Sequence, residues 1–110
     1  MTDSTPDVQV VDDPDDNRFV LELEGSSGEL VYELRGDRLI LIHTEIPESL
    51  QGHGLGGKLV RAALDRAESE RLTVVPWCPY ARHWLREHPD DASRATIDWD
   101  TPPPSSGEGS

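Results

Sequence analysis

The chain has 110 residues, the size of one small domain, and its 22 acidic and 10 basic side chains give a formal net charge of −12. It has no basic stripe and no apolar run approaching the ~20 residues that a membrane-spanning helix needs, so we expect neither a nucleic acid nor a membrane as partner. A single cysteine excludes an internal disulfide framework and is typical of a reducing compartment, so we expect a cytoplasmic protein.

The acidity is concentrated at the two ends. Residues 1–16 hold six acidic side chains and no lysine or arginine, and residues 100–110 combine three prolines with serine, glycine and glutamate. Neither stretch shows apolar periodicity, so we predict a disordered acidic arm over 1–16 and a disordered tail over 100–110. The predicted folded domain is then 17–99.

Three strands with short turns follow the acidic arm. Apolar residues at 19, 21 and 23 alternate with residues 20, 22 and 24, which is the period of a half-buried strand. A turn at Gly25-Ser26-Ser27-Gly28 leads to a second strand over 30–34. Gly36-Asp37 leads to a third over 38–46, which Pro47 ends. Strands joined by such short turns predict an antiparallel meander.

A glycine-rich turn and a helix come next. Four of the nine glycines fall within six residues, at 52, 54, 56 and 57, and apolar residues recur at 55, 59, 60, 63, 64 and 67. This spacing predicts a helix from Leu55 to about Glu70 with one apolar face. A short strand over 72–75 follows, and the helical crossover makes it parallel to the third strand. A turn over 77–80 then leads to a short helix over 81–87.

The strand, glycine turn and helix start together predict an anion-binding loop. Backbone N–H groups at such a helix start converge on an anion, and the clustered glycines indicate a close approach of backbone to ligand. Three known phosphate-binding sequence patterns match this stretch. Gly52, Gly54 and Gly57 match the dinucleotide pattern G-x-G-x-x-G. Gly52, Gly57 and Lys58 match most of a P-loop, without the following Ser or Thr that holds Mg²⁺. Residues 51–56 match Q/R-x-x-G-x-G/A.

The order of elements separates these three patterns. A dinucleotide fold opens with strand, loop and helix and needs several further βα units, whereas this loop comes after three meander strands. A P-loop NTPase also needs an aspartate on a second strand, and none is visible. The order β-β-β-α-β-α predicts an α+β fold: an antiparallel β-meander, then a glycine loop, a helix, a parallel strand and a short helix. With the Q-x-x-G-x-G loop, this order resembles the minimal core of the GNAT superfamily of acyl-CoA-dependent N-acyltransferases.

The resemblance runs from about Phe19 to Pro89 and is to short single-domain members of that superfamily. It rests on these motifs: His43-Thr44-Glu45-Ile46-Pro47, Gln51-Gly52-His53-Gly54-Leu55-Gly56, Val75-Pro76 with Cys78-Pro79-Tyr80, and His88-Pro89. Such members lack the pair of helices that helps build the acceptor site in larger relatives. The resemblance therefore implies an N-acetyltransferase with acetyl-CoA as cosubstrate, an amine of a small molecule or peptide as acceptor, and an open acceptor side.

The resemblance also implies which residues hold the donor. The loop backbone would bind the pyrophosphate, while the third strand and the parallel strand splay apart. The pantetheine arm would then pair with the freed backbone around Glu45 and Ile46, where an N–H would polarise the thioester carbonyl. Lys58 is either a phosphate ligand or an exposed lysine. The expected cofactor-binding residues are Ile46, Gln51, Gly52, His53, Gly54, Leu55, Gly56, Gly57 and Lys58.

Acetyl transfer to an amine needs a base for the amine and an acid for the leaving thiolate. The candidate catalytic residues are His43, Glu45 and Cys78. His43 and Glu45 share a face of the strand and either act together or merely pair. Cys78 is an acyl-accepting nucleophile, the acid, or a small buried hydrophobe.

The remaining aromatic and histidine side chains are assigned to structure. Trp77, Tyr80 and Trp84 are expected to pack in the core rather than line an acyl pocket, and His88 to cap or pack at a helix end. The four histidines show no ligand spacing, so we expect no metal site. We expect a monomer or weak dimer. The alternative to an enzyme is a non-catalytic acyl-CoA-binding or interaction module.

Overall fold

A six-stranded sheet with helices against one face forms the body of the computed structural model, which describes residues 9–23, 25–51 and 54–102. In chain order the elements are β1 (Val10–Asp13), β2 (Arg18–Leu23), β3 (Ser26–Arg35), β4 (Arg38–Glu45), a 3₁₀ helix (Glu48–Leu50), α1 (Leu55–Glu70), β5 (Thr73–Pro76), α2 (Pro79–Glu87), α3 (Pro89–Ala92) and β6 (Thr96–Ile97). The strands keep this order across the sheet. The first four pair antiparallel, and β5 and β6 add in parallel. The predicted α+β class, with a meander before the loop, helix and parallel strand, is confirmed.

Helix α1 covers the sheet with the apolar face that the sequence predicts. The apolar positions 55, 59, 60, 63, 64 and 67 are all buried, while the charged positions 61, 65, 68 and 70 are exposed. The helix ends where Arg71 turns to a φ of 58° and its N–H bonds to the carbonyl of Ala67. The period of the pattern therefore determined both the position and the orientation of this helix.

The core lies between the sheet and helices α1 and α2. The rings of Phe19 and Tyr32 meet at 4.9 Å under α1, and Trp84 and Leu85 bring α2 into the same cluster. Along β2 and β3 the buried residues alternate with half-buried or exposed ones, which lie on the opposite side of the sheet. We call that side of the meander the outer face; it carries Val11, Arg18, Val20, Glu22, Ser27, Glu29, Val31, His43 and Glu45.

The prediction of disorder at the two ends is wrong for the residues nearest the folded domain. Residues 10–13 form β1, which pairs with β2 from Val10↔Leu21 to Asp13↔Arg18. At the other end, the side chain of Asp98 accepts the backbone N–H groups of Asp100 and Thr101. Residues 1–8 and 103–110 lie outside the described residues, so the prediction of disorder there remains a prediction.

A hydrogen-bonded cluster anchors β1 to α1. The phenol of Tyr32 donates to Asp12 at 2.7 Å and accepts from Arg66 at 2.6 Å, and Arg66 also pairs with Asp12 at 2.9 Å. The cluster satisfies polar groups at the edge of the core and gives the acidic residue of β1 two partners. This is why a strand with two aspartates is held in the sheet.

The first turn of the meander is shorter than predicted. Only Gly25, with a φ of 84°, is a described turn residue there, and Ser26, Ser27 and Gly28 already belong to β3. They pair with Leu23, Glu22 and Leu21 of β2. These small polar residues, which are typical of a turn, are therefore the first residues of the strand. No helix among the described residues is long and apolar enough to cross a membrane.

Candidate active site

The sheet opens between β4 and β5. The two strands pair from Arg38↔Thr73 to Leu41↔Pro76, and the N–H of Cys78 makes a last bond of 2.8 Å to the carbonyl of Leu41. Beyond this point β4 continues to Glu45, and of the described strands β3 is the one that pairs with it there. Within residues 9–23, 25–51 and 54–102, one edge of its last four residues therefore has no neighbouring strand, as the resemblance implied.

A cavity of about 540 Å³ lies where the strands separate. It is lined by His43, Thr44, Glu45, Ile46, Leu50, Gln51, Gly54, Leu55, Gly56 and Tyr80. The cavity thus brings together most of the residues predicted from the sequence. Gly52 and His53 lie outside the described residues, and Gly57, Lys58 and Cys78 are not among the lining residues.

The start of α1 borders this cavity with its first-turn backbone N–H groups. Gly54 precedes the helix with a φ of 72°, a conformation that favours glycine, and no side chain of the described residues caps the helix there. The first turn holds no acidic residue. The N–H groups of a first helical turn have no partner within the helix, so this end carries partial positive charge. An anion at the mouth of the cavity would be stabilised there.

Gly56 and Gly57 are also needed for the packing of α2. A methyl group on Gly56 would overlap the phenol of Tyr80, and one on Gly57 would lie 2.7 Å from Nε1 of Trp84. The sequence suggested that these glycines allow a ligand to approach. In the structure they allow two aromatic side chains to reach the start of α1, while Gly54 supplies the turn.

Tyr80 is a site residue that the sequence interpretation placed elsewhere. It is 42% exposed and lines the cavity, so the prediction that it packs in the core is wrong. Trp84 is buried, as predicted, and the His88 ring stacks on it at 3.9 Å. Burial, and then the neighbouring Cys78, raises the pKa of the Tyr80 phenol above its ordinary value. The phenol therefore stays protonated at neutral pH.

Cys78 is buried beside Thr44. The thiol is 2% exposed and lies 3.1 Å from the Thr44 hydroxyl. Thr44 reaches the core side because β4 has an extra residue: Leu41 pairs with Tyr32 and His43 with Val31, leaving Ile42 without a partner. Sequence reasoning missed Thr44, since simple alternation from Leu41 would put His43 on the core side.

His43 and Glu45 lie on the other side of β4, on the outer face. They share that face, as predicted, with Nε2 of His43 3.5 Å from a carboxylate oxygen of Glu45. Their side chains are 59% and 70% exposed. The three predicted catalytic residues are thus divided: the imidazole and carboxylate face outward, and the thiol faces the core.

Two contacts fix the end of β4. A Cβ atom placed on Gly28 would lie 2.7 Å from Cδ1 of Ile46 and 3.3 Å from the carbonyl oxygen of Glu45. The end of β4 therefore packs directly against the backbone of Gly28. The amide of Gln51 donates to the carbonyl of Ile46 at 3.1 Å. Gln51 therefore positions this backbone as well as bordering the cavity.

Two parallel strands that separate beside a helix preceded by glycine are the arrangement expected of an acyl-CoA-dependent N-acyltransferase fold. The chain belongs to the GCN5-related N-acetyl-transferase family, whose model matches residues 18–94.

Curated relatives are of similar length. The chain is 34% identical to Protein NATD1 of Gallus gallus over 85 residues, which cover 74% of this chain and 77% of that protein. Against Protein NATD1 of Homo sapiens the identity is 33% over 85 residues, covering 74% and 75%. Against Protein NATD1 of Xenopus tropicalis the identity is 30% over 90 residues, which cover 79% of this chain and 83% of that protein.

Proposed function

We propose that the protein is an acetyl-CoA-dependent N-acetyltransferase that acetylates a primary amine. The observation that carries the proposal is the separation of β4 from β5 at Leu41, next to the first turn of α1, which Gly54 precedes. One cavity therefore has a free strand edge on one side and an anion-stabilising helix end on the other. These are the two features that an extended donor with a pyrophosphate needs.

Different residues around the cavity bind different parts of acetyl-CoA. The first turn of α1 and Gly54 bind the pyrophosphate through backbone N–H groups. The free edge of β4 between His43 and Ile46 pairs with the amides of the pantetheine arm. A backbone N–H at that edge stabilises the oxyanion that forms when the thioester carbonyl is attacked.

Direct attack by the amine is the reaction that this geometry favours. The amine nitrogen bonds to the acetyl carbon, the carbon–sulfur bond breaks, and the nitrogen loses a proton. Glu45, paired with His43, accepts that proton, and the phenol of Tyr80 protonates the departing thiolate. Cys78 is 2% exposed and on the core side, so we assign it the role of a positioning residue beside Tyr80 rather than a nucleophile.

The proposal is tested by measuring donor binding and turnover separately. Thiol release from acetyl-CoA is followed in the presence of a panel of primary amines, and acetyl-CoA binding is measured by calorimetry. We expect amine-dependent release by the wild type. We expect Glu45→Gln to lower kcat about 100-fold with the acetyl-CoA Kd changed less than twofold.

Each other outcome has a definite meaning. Tight binding of acetyl-CoA without turnover on any amine would contradict catalysis and leave a non-catalytic acyl-CoA-binding module. Full turnover by Glu45→Gln would show that Glu45 is not the base.

A further inference from the structure

The outer face of the meander carries a row of side chains that ends at Glu45. In the sheet register Val11 pairs with Val20, Val20 with Glu29, and Glu29 with Glu45. Directly opposite residues of antiparallel strands point to the same face. Since Val20 lies between the buried Phe19 and Leu21, that face is the one away from the core.

A second cavity lies on this row. It has a volume of about 310 Å³ and is lined by Arg18, Val20, Ser27, Glu29, Glu45 and Pro47. Glu45 lines both cavities. The second cavity therefore reaches the end of β4 from the outer face.

The lining residues are suited to one kind of ligand. The carboxylate of Glu29 pairs with Arg18 at 2.8 Å, whereas within the described part of the chain the carboxylate of Glu45 is partnered by His43 at 3.5 Å and is 70% exposed. Val20 and Pro47 add apolar surface. An apolar stem with a cationic head matches this surface, because the stem contacts the apolar residues and the head pairs with the exposed carboxylate of Glu45.

We propose that the second cavity is the acceptor subsite and that it takes a primary ammonium at the end of an alkyl chain, as in a lysine side chain. The proposal rests on the proposed function, since it identifies where and in what form the amine arrives. The stem lies against Val20 and Pro47, and the ammonium points to Glu45. The ammonium passes one proton to the Glu45 carboxylate, which releases it to solvent, and the neutral amine then enters the first cavity.

The charge of the protein favours the same ligand. The chain carries a net −12, and beside the guanidinium of Arg18 the outer face carries the carboxylates of Glu22, Glu29 and Glu45. A field of this sign raises the local concentration of cationic acceptors and repels anionic ones.

A binding experiment tests the subsite without needing turnover. Backbone amide shifts of the CoA-saturated protein are recorded during titration with Nα-acetyl-lysine methylamide. The matched control is Nα-acetyl-norleucine methylamide, which keeps the alkyl stem and lacks the ammonium. We expect shifts at Val20, Glu29 and Glu45 with the lysine compound only. Equal shifts with both compounds, or shifts confined to other parts of the sheet, would overturn the proposal.

A pair of tryptophan substitutions tests the same subsite in the reaction. Ser27→Trp fills the second cavity, whereas Val11→Trp adds the same ring on the same face outside that cavity. Both positions are exposed, so both variants are expected to fold. Ser27→Trp should raise the KM for the lysine compound about tenfold or more, with the acetyl-CoA Kd unchanged, and Val11→Trp should alter neither. Equal effects from the two variants would contradict the assignment.

The two proposals fail in different ways. If the wild type binds acetyl-CoA but acetylates nothing, the proposed function fails while the amide-shift titration still decides the subsite. If the wild type acetylates amines and Ser27→Trp leaves the KM unchanged, the subsite fails and the function stands.

Discussion

The hydroxyl of Thr44 lies 3.1 Å from the thiol of Cys78, across the gap in which β4 and β5 separate. The extra residue at Ile42 turns Thr44 toward the core and leaves His43 on the outer face. The thiol is therefore held on the side opposite the imidazole.

We predict that Cys78 is not acetylated during turnover. A thiol that is 2% exposed and held by Thr44 is a poor nucleophile, because attack requires an accessible thiolate. Intact-protein mass spectrometry after mixing with acetyl-CoA alone should show no acetyl adduct. An adduct absent from Cys78→Ser, and lost from the wild type when amine is added, would contradict direct transfer.

Tyr80→Phe should lower kcat about 100-fold, the loss expected when a general acid is removed, with little change in the acetyl-CoA Kd. The control is Tyr32→Phe, which removes the same hydroxyl from the chain's other tyrosine, away from the cavity. Tyr32→Phe should lower stability and leave kcat near that of the wild type. If the two variants lose the same activity, Tyr80 has no role as the acid.

The sequence determined the site to different degrees. The apolar period of α1 and the glycine loop were sufficient to predict the helix, the parallel strand and most of the residues that line the cavity. Thr44 could not be predicted, because a one-residue bulge at Ile42 reverses the alternation of β4 and leaves no signal in residue type. Tyr80 was assigned to the core because nothing in the sequence indicates that a tyrosine packs on Gly56.

Strands β1 and β6 were missed for a different reason. Val10–Asp13 stands in an acidic stretch and is held by pairing with β2 and by the bond between Asp12 and Tyr32. Thr96–Ile97 is only two residues long and pairs with β5. The contact of Asp12 with Tyr32 and the pairing of Thr96 with Thr73 both join residues distant in sequence, so local patterns do not predict them.

Gly28→Ala should weaken acetyl-CoA binding about tenfold. A methyl group there would lie 2.7 Å from Cδ1 of Ile46 and 3.3 Å from the carbonyl of Glu45, so the end of β4 has to move. Adding Ile46→Val removes the clashing carbon and should restore most of the affinity. Calorimetry on both single variants and the double variant measures this coupling. Additive effects would show that Gly28 does not act through Ile46.

The two glycines at the start of α1 should respond differently to alanine. At Gly57 the new methyl group meets Nε1 of buried Trp84, so we expect a loss of stability of about 1–3 kcal/mol, as for an overpacked core. At Gly56 it meets the partly exposed Tyr80, which is able to swing outward, so stability should change less and kcat should fall. Denaturant unfolding and thiol-release assays measure the two effects. The opposite ranking would contradict this packing.

Tyr32 should give the protein a specific loss of stability at alkaline pH. Burial, then the hydrogen bond to Asp12, raises the pKa of Tyr32 to about 12, whereas an unfolded tyrosine titrates near 10. The raised pKa means that the stabilising effect is complete below about pH 10 and is lost as the pH rises toward 12. The difference in unfolding free energy between the wild type and Tyr32→Phe should therefore shrink over this range. A constant difference would show that Tyr32 titrates normally.

The central claim is that the cavity between β4 and the start of α1 binds acetyl-CoA, and a thermal-shift titration with acetyl-CoA, free CoA and Mg-ATP tests it most directly. A ligand at 100 times its Kd stabilises the native state by about 2.7 kcal/mol, which shifts Tm by about 10 °C or more in a domain of this size. We predict a saturable rise in Tm with both CoA species and none with Mg-ATP. No response to either CoA species, or an equal response to Mg-ATP, would contradict the claim.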